Sequence, residues 1–257
     1  MKQQIHKITM KIIWILWLRQ IKRYFRSKAR MVGSLGQPLL FLLALGYGFG
    51  PVFKKAGGGN YIEFLAPGIV AMAILFTSVF SGIEIIWDRQ FGFLKETLVA
   101  PVSRLQIMIG RTLGGATVAL LQGIIVLVLA IIAGFRPTHL GLAALSLVFM
   151  FCTALLFTAL GTAIASVLED MQGFQLIINF LVMPLFFLSG ALFPLEGLPK
   201  AIGMVARANP LTYGVDGLRG TLAGFSHFSL GLDFIILLAV VSLFMIIGSY
   251  LFSKIQA

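Results

Sequence analysis

The sequence predicts an all-α polytopic membrane protein with six transmembrane helices, an N-terminal amphipathic interface helix and two longer loops that carry short helices. Three observations predict it. Hydrophobic residues make up 59% of the 257-residue chain and charged residues only 11%, against about 45–50% and about 25% in soluble domains. Mean hydropathy is +0.99. The charges fall between apolar windows each long enough, at roughly 20 residues, to cross a hydrocarbon core of about 30 Å. Soluble enzymes, disulfide scaffolds and disordered chains are excluded at this step. The single cysteine, Cys152, allows no intrachain disulfide and no cysteine metal cluster. His6, His139 and His227 show no ligand spacing, so no metal site is expected.

Residues 1–30 come first. They hold nine of the basic residues and no acid, so most of the net charge of +11 sits there. A nucleic-acid binder would share that excess but not the apolar remainder, so no nucleic-acid partner is expected. A segment lying against the anionic inner leaflet fits better. Arg19, Arg23, Arg26 and Arg30 repeat at helical spacing, Leu18, Ile21 and Phe25 line another side, and Trp14 and Trp17 suit headgroup depth. The apolar run 12–18 is too short to span and has no small-residue cleavage pattern after it.

Six charge-poor windows then follow, at 31–53, 64–83, 112–135, 140–168, 171–195 and 234–253. With the N-terminus inside, 14 of the 20 basic residues are cytoplasmic, which the positive-inside rule favours. The expected setting is the plasma (inner) membrane, with both termini cytoplasmic and 1–257 as one membrane domain. Gln122, Gln175 and Asn179 are among the few polar side chains within the windows, and helix–helix hydrogen bonds are their more ordinary use. The G-x-x-x-G spacings at Gly46/Gly50 and Gly110/Gly114 are a weak signal for a dimer seam. No phosphate-binding G-x-x-x-x-G-K-[ST], no H-E-x-x-H and no G-x-S-x-G occurs.

Two loops are long. In the inner one, 88–105, Phe91, Leu94 and Leu98 share a helical face, Lys95 and Glu96 lie beside it, and Pro101 ends it. Ser103 then offers an N-cap, with Gln106 completing a capping box. The apolar face of that short helix needs a cover: lipid, the same chain or a partner's groove. In the outer loop, 196–230, Pro199 and Pro210 separate two short helices, one over Leu198–Ala206 spacing and one over 212–222. Both are apolar enough to dip into the outer leaflet against protein. Asp216 and Arg219 at i, i+3 are placed to pair.

Two motifs resemble those of the ABC-2 type permeases, the membrane subunits of type-2 ATP-binding-cassette exporters, and within them the daunorubicin-resistance-like drug exporters. One runs from Asp88, Arg89, Gln90, Phe91, Gly92, Phe93, Leu94, Lys95, Glu96, Thr97 and Leu98 to Ala100, Pro101, Val102, Ser103 and Arg104. The other runs from Phe187, Leu188, Ser189, Gly190, Ala191, Leu192, Phe193 and Pro194 to Asn209, Pro210, Leu211, Thr212 and Tyr213, then Asp216, Gly217, Leu218 and Arg219. Relatives often open the first motif with glutamates, where this chain has Asp88.

The resemblance implies a homodimer of permease chains over two separate ATPase subunits, which would bind the ATP and magnesium. No cofactor is expected on this chain itself, and no catalytic residue. The first motif, from Asp88 to Pro101, becomes the coupling helix that docks an ATPase. In the second, Ser189, Gly190, Phe193, Pro194, Asn209, Pro210, Tyr213, Asp216 and Arg219 become an extracellular re-entrant gate. For the cargo, 23 Phe against 5 Tyr and 3 Trp favour a drug-like or lipid-like molecule over a sugar chain. Phe76, Phe80, Phe174, Asn179, Phe180, Phe186 and Phe187 are the candidate path residues, with simple lipid contact as the even alternative. A permease for a lipid-linked glycan, a self-sufficient ion-driven carrier or channel, and a cargo-free membrane scaffold remain open beside it.

Overall fold

The computed structural model describes residues 2–57, 59–93, 102–138 and 140–255, the side chains of 2–9 and 140 excepted. The described residues form α1 (Lys2–Arg26), α2 (Lys28–Lys55), α3 (Tyr61–Phe80), α4 (Ile83–Gln90), α5 (Arg104–Ile132), α6 (Ala143–Val167), α7 (Met171–Phe187), α8 (Lys200–Ala208), α9 (Pro210–Leu222) and α10 (Leu230–Ser253). Five stretches are long and apolar enough to cross a membrane: α2, α3 with α4, α5, α6 and α10. The all-α membrane class is therefore as expected.

The helix starts follow local chemistry. Ser103 accepts the Gln106 amide at 3.3 Å while Gln106 Oε1 accepts the Ser103 amide at 3.3 Å, the expected capping box of α5. Asn60, Asp170, Asn209 and Ser229 cap α3, α7, α9 and α10 in the same way, each accepting a first-turn amide.

Two expected windows break or end differently from what forms. The second begins earlier, at Tyr61, and breaks at Ser81–Gly82 before resuming as α4. The fifth was expected over 171–195, but α7 ends at Phe187, a length of about 25 Å at 1.5 Å per residue. The chain turns there because Ser189 Oγ donates back to the Phe186 carbonyl at 2.7 Å and Gly190 takes φ +76°, a conformation open to glycine without penalty. α7 is thus a shorter apolar helix leading into an irregular turn.

α3 is the central pillar, buried along nearly its whole length and packed by α2, α5, α6 and α9. α10 lies against α6, and α1 runs alongside the first half of α5. That last contact uses the glycines expected at a dimer seam. A Cβ at Gly110 would overlap Leu16, and one at Gly114 would overlap Gln20. These two glycines serve an intrachain approach instead. Trp17 Nε1 donates to Thr117 Oγ1 at 3.0 Å and the Tyr24 hydroxyl to Gln122 Oε1 at 2.5 Å, so Gln122 has the helix–helix role expected of it.

α3 and α6 touch through backbone. A Cβ on Gly161 would overlap the Val79 carbonyl, and one on Gly82 would overlap the Gly161 carbonyl. Backbone cannot yield as a flexible side chain does. Gly161→Ala is therefore expected to cost about 1–3 kcal/mol and to lower the melting temperature of the detergent-solubilised chain by about 2–6 °C. An unchanged melting temperature would show that the two helices slide apart freely.

Candidate functional site

Three features occupy the bundle: a charged hub at the end that carries α1 and α4, a half-length hairpin at the opposite end, and a cavity beside α3.

The hub is built on α4. Its Glu84 and Asp88, at i, i+4, share one face and are both buried. Asp88 accepts from Arg19 at 3.2 Å and is in ion-pair contact with Arg111 of α5. Glu84 meets Arg30 at 3.1 Å and Arg23 at 3.5 Å. Three of the four N-terminal arginines expected to face a lipid surface therefore hold protein carboxylates. The guanidinium of Arg19 lies 4.1 Å over the Phe93 ring, and Arg23 and Arg30 lie over Trp87 at 5.3 and 5.4 Å. Arg89 turns to the end of α6, donating to the Ser166 and Leu168 carbonyls at 3.2 Å each, where the helix dipole favours a cation. Trp87 Nε1 contacts Met171 Sδ at 3.1 Å. Arg104 at the start of α5 donates to the Ser253 and Ile255 carbonyls, the latter at 2.8 Å.

The first motif thus divides. Asp88 and Arg89 face inward and tie α4 to α1, α5 and the α6–α7 turn. Phe91 is 81% exposed, Phe93 is exposed too, and Gly92 makes the turn between them at φ +77°. Leu94, Lys95, Glu96, Leu98 and Pro101 lie outside the described residues. Glu84 and Arg111 were missed in the sequence, although a carboxylate and a guanidinium bordering apolar windows were the available signal.

At the far end the second motif does come together. The Ser189–Leu195 turn and α9 line a pocket of about 260 Å³, with Ser189, Pro194, Asp216 and Arg219 on its wall. Gly68 of α3 backs the turn, since a Cβ there would overlap Ala191 backbone. Tyr61 donates its hydroxyl to the Leu192 carbonyl at 2.8 Å. Asn209 caps α9 and donates to the Leu185 carbonyl at 2.6 Å. Pro210 is the first residue of α9, and the Tyr213 hydroxyl donates to the Arg207 carbonyl at 2.6 Å. Phe193 is half-buried beside them.

The expected Asp216–Arg219 ion pair does not form. Arg219 Nη2 donates to the Gly190 carbonyl at 2.9 Å and to Phe64 at 3.4 Å, with its guanidinium 4.0 Å over the Phe64 ring. Asp216 accepts the His227 and Phe228 amides at 2.8 and 2.7 Å. Buried backbone groups compete with the side-chain pair for both residues. Burial lowers the Arg219 guanidinium to about 10, with Asp216 opposing that shift, so it stays charged at neutral pH.

The cavity, about 400 Å³, lies among α1 to α5 near the hub. Phe76 and Phe80 line it, with Pro38 and Val118 as further apolar wall and Gln20, Arg30, Ser34, Gln37, Thr77 and Glu84 as polar wall. Phe174 and Phe186 are instead packed in the core, and Phe186 meets Phe41 at 6.3 Å. Gln175, Asn179 and Phe180 share the exposed face of α7, with Phe180 85% exposed, and Phe187 is also exposed. The candidate path residues therefore fall in three places.

A bundle of long apolar helices, one shorter apolar helix and two half-length helices folded back at one end defines a polytopic helical membrane protein. Residues 11–223 match the family model described as "ABC-2 type transporter", and the chain belongs to that family. It is 28% identical to a protein named as a transport permease, ycf38, of Cyanophora paradoxa, over 91% of this chain and 87% of that one. It is 31% identical to Nodulation protein J of Rhizobium leguminosarum bv. trifolii over 82% and 81% of the two chains. Nodulation protein J of Rhizobium meliloti is 30% identical over 85% and 84%.

Proposed function

We propose that the chain is the permease subunit of an ATP-driven exporter, moving a hydrophobic or amphipathic molecule out of the cytoplasm or inner leaflet as a homodimer on two separate ATPase subunits. The observation that carries this reading is the build of α4. An exposed aromatic tip, Phe91 on the Gly92 turn, is joined within three residues to Asp88 and Arg89. Those two side chains are tied to α1, α5 and the end of α6. A push on the tip therefore reaches three helices through charge-assisted bonds rather than through soft packing. In this reading the hub end is cytoplasmic, in the inner membrane, and ATP and magnesium bind only the partner.

A coupled motion needs contacts that differ between two states. The exposed amides Gln175 and Asn179 on an otherwise apolar face of α7 supply a candidate seam. In lipid their donors lack partners, and a second copy or an aqueous path satisfies them. At the far end Arg219 and Tyr61 bond to the Ser189–Leu195 turn and Asn209 bonds to the end of α7, and in this reading the three hold the turn closed over that seam. Phe76 and Phe80 beside the polar wall favour an amphipathic cargo. Trp87, Gln20 and Gln37 on the same wall favour a glycan-bearing lipid as the second reading.

Transport by the chain and its ATPase in reconstituted vesicles tests the reading. ATP-dependent movement of a lipid-tailed drug is the expected result, and movement of a glycan lipid alone favours the second. Transport that persists without ATP would overturn both and support the self-sufficient carrier.

A further inference from the structure

We propose that the cavity beside α3 is a binding site for an amphipath with an anionic headgroup, in which Arg30 takes the phosphate or carboxylate and Phe76 and Phe80 take the tail. The site rests on the reading above that the hub end faces the cytoplasm, which places the cavity at inner-leaflet headgroup depth.

The charges at the hub do not balance. Among the described residues, Arg19, Arg23, Arg30 and Arg111 meet only Glu84 and Asp88, leaving a surplus of two positive charges there in a partly dry setting. Three of these arginines are taken up elsewhere: Arg111 is buried against Asp88, Arg19 is shared between Asp88 and Phe93, and Arg23 does not line the cavity. Arg30 is the cation on the cavity wall, and its side chain is 42% exposed. It donates to Glu84 through Nη1, and its remaining donors have no protein partner among the described residues.

Glu84 is 94% buried, given its 6% exposure. It fixes the guanidinium while Arg23 offsets its charge, so the carboxylate orients Arg30 without cancelling the surplus. A planar guanidinium held at one edge presents its other edge to two oxygens of one anion. Gln20 and Gln37 add amide donors on the same wall. Phe76 and Phe80, stacked at 6.4 Å between centroids with an interplanar angle of 15°, continue the wall with Pro38 and Val118 as an apolar surface. One cation, two neutral amides and an apolar continuation match a single anionic head on a hydrophobic tail. Two sources supply that chemistry, a resident membrane lipid and the cargo itself.

The test uses the full chain, purified without any ATPase into neutral maltoside micelles. A fluorescent-tailed phosphatidic acid is compared with the phosphatidylcholine bearing the same tail. The expected result is at least about tenfold tighter binding of the anionic probe, lost in Arg30→Gln and only partly kept in Arg30→Lys, which retains the charge without the fork. Gln37→Glu leaves the Arg30–Glu84 pair intact and places a negative charge beside it, so the preference is expected to fall there as well, in a chain that folds normally. Equal affinity for the two headgroups, or a preference that survives both Arg30→Gln and Gln37→Glu, would overturn the site. Competition by inorganic phosphate alone at the probe's concentration would overturn the amphipath and leave a phosphate site. Headgroup-dependent stimulation of ATPase activity in the reconstituted complex identifies the ligand as cargo, and binding without stimulation identifies resident lipid; both support the site. A chain that binds the probe but recruits no ATPase would defeat the exporter reading and leave this site standing.

Discussion

Asp88→Asn is expected to destabilise the chain more than any other single change at the hub. Arg111 is 4% exposed, and among the described residues Asp88 is its only acidic partner in contact. Without the carboxylate, a buried guanidinium is left without its counter-charge, a loss of about 3–5 kcal/mol. Arg19→Gln removes the other arm of the same cluster, but that side chain is 34% exposed, so water replaces the lost partner and the cost is expected near 1 kcal/mol. The comparison fixes the cause. Asp88→Asn combined with Arg111→Met should recover most of the loss, because replacing both members of a buried pair is far cheaper than removing one. Thermal unfolding of these three variants beside the wild-type chain in detergent reads this directly. Equal costs for Asp88→Asn and Arg19→Gln would mean that Arg111 reaches water, and the hub would be a surface network.

Arg219→Leu is expected to loosen the far end by about 2–4 kcal/mol. It removes two donors, leaves the Gly190 and Phe64 carbonyls short of a partner, and deletes a cation held 4.0 Å over the Phe64 ring. Asp216 is spared, since it is satisfied by the His227 and Phe228 amides. Arg219→Lys keeps the charge and loses the fork geometry, so it should fall between wild type and Leu. If the turn closes the transport path, Arg219→Leu lowers coupled transport while ATPase binding at the hub, on the opposite end, is unchanged. Loss of ATPase recruitment in this variant would mean that the turn supports the whole fold rather than a gate.

The membrane class, the cap at Ser103 and the two half-length helices of the outer loop were readable because each depends on local pattern: apolar windows, a side chain three residues before an amide, and proline punctuation. What was not readable depends on partners distant in sequence. Gly110 and Gly114 carry the same spacing whether they meet a second copy or α1, and only the fold chooses α1. The basic N-terminal residues read as lipid-facing because their acidic partners, Glu84 and Asp88, lie 54 and 69 residues away. Asp216 and Arg219 are spaced for a pair, but buried carbonyls and amides compete for both side chains. The early end of α7 follows from a back-bonded serine and a left-handed glycine within an unbroken apolar run, which hydropathy alone does not register. Of the nine residues expected at a gate, Ser189, Pro194, Asp216 and Arg219 line one pocket, whereas the candidate path phenylalanines divide among the cavity wall, the core and the exposed face of α7.

The measurement that bears most directly on the exporter reading is a mild-detergent pull-down of the tagged chain from native membranes, beside Phe91→Asp and Leu94→Asp. Phe91 is exposed, so its replacement should leave folding intact. The predicted result is a soluble P-loop ATPase at about equal stoichiometry with the wild-type chain, lost in both variants while the permease still elutes as a folded dimer. A chain that emerges without an ATPase, or variants that retain it with coupled transport, would contradict the assignment of this loop and point to a carrier that works alone.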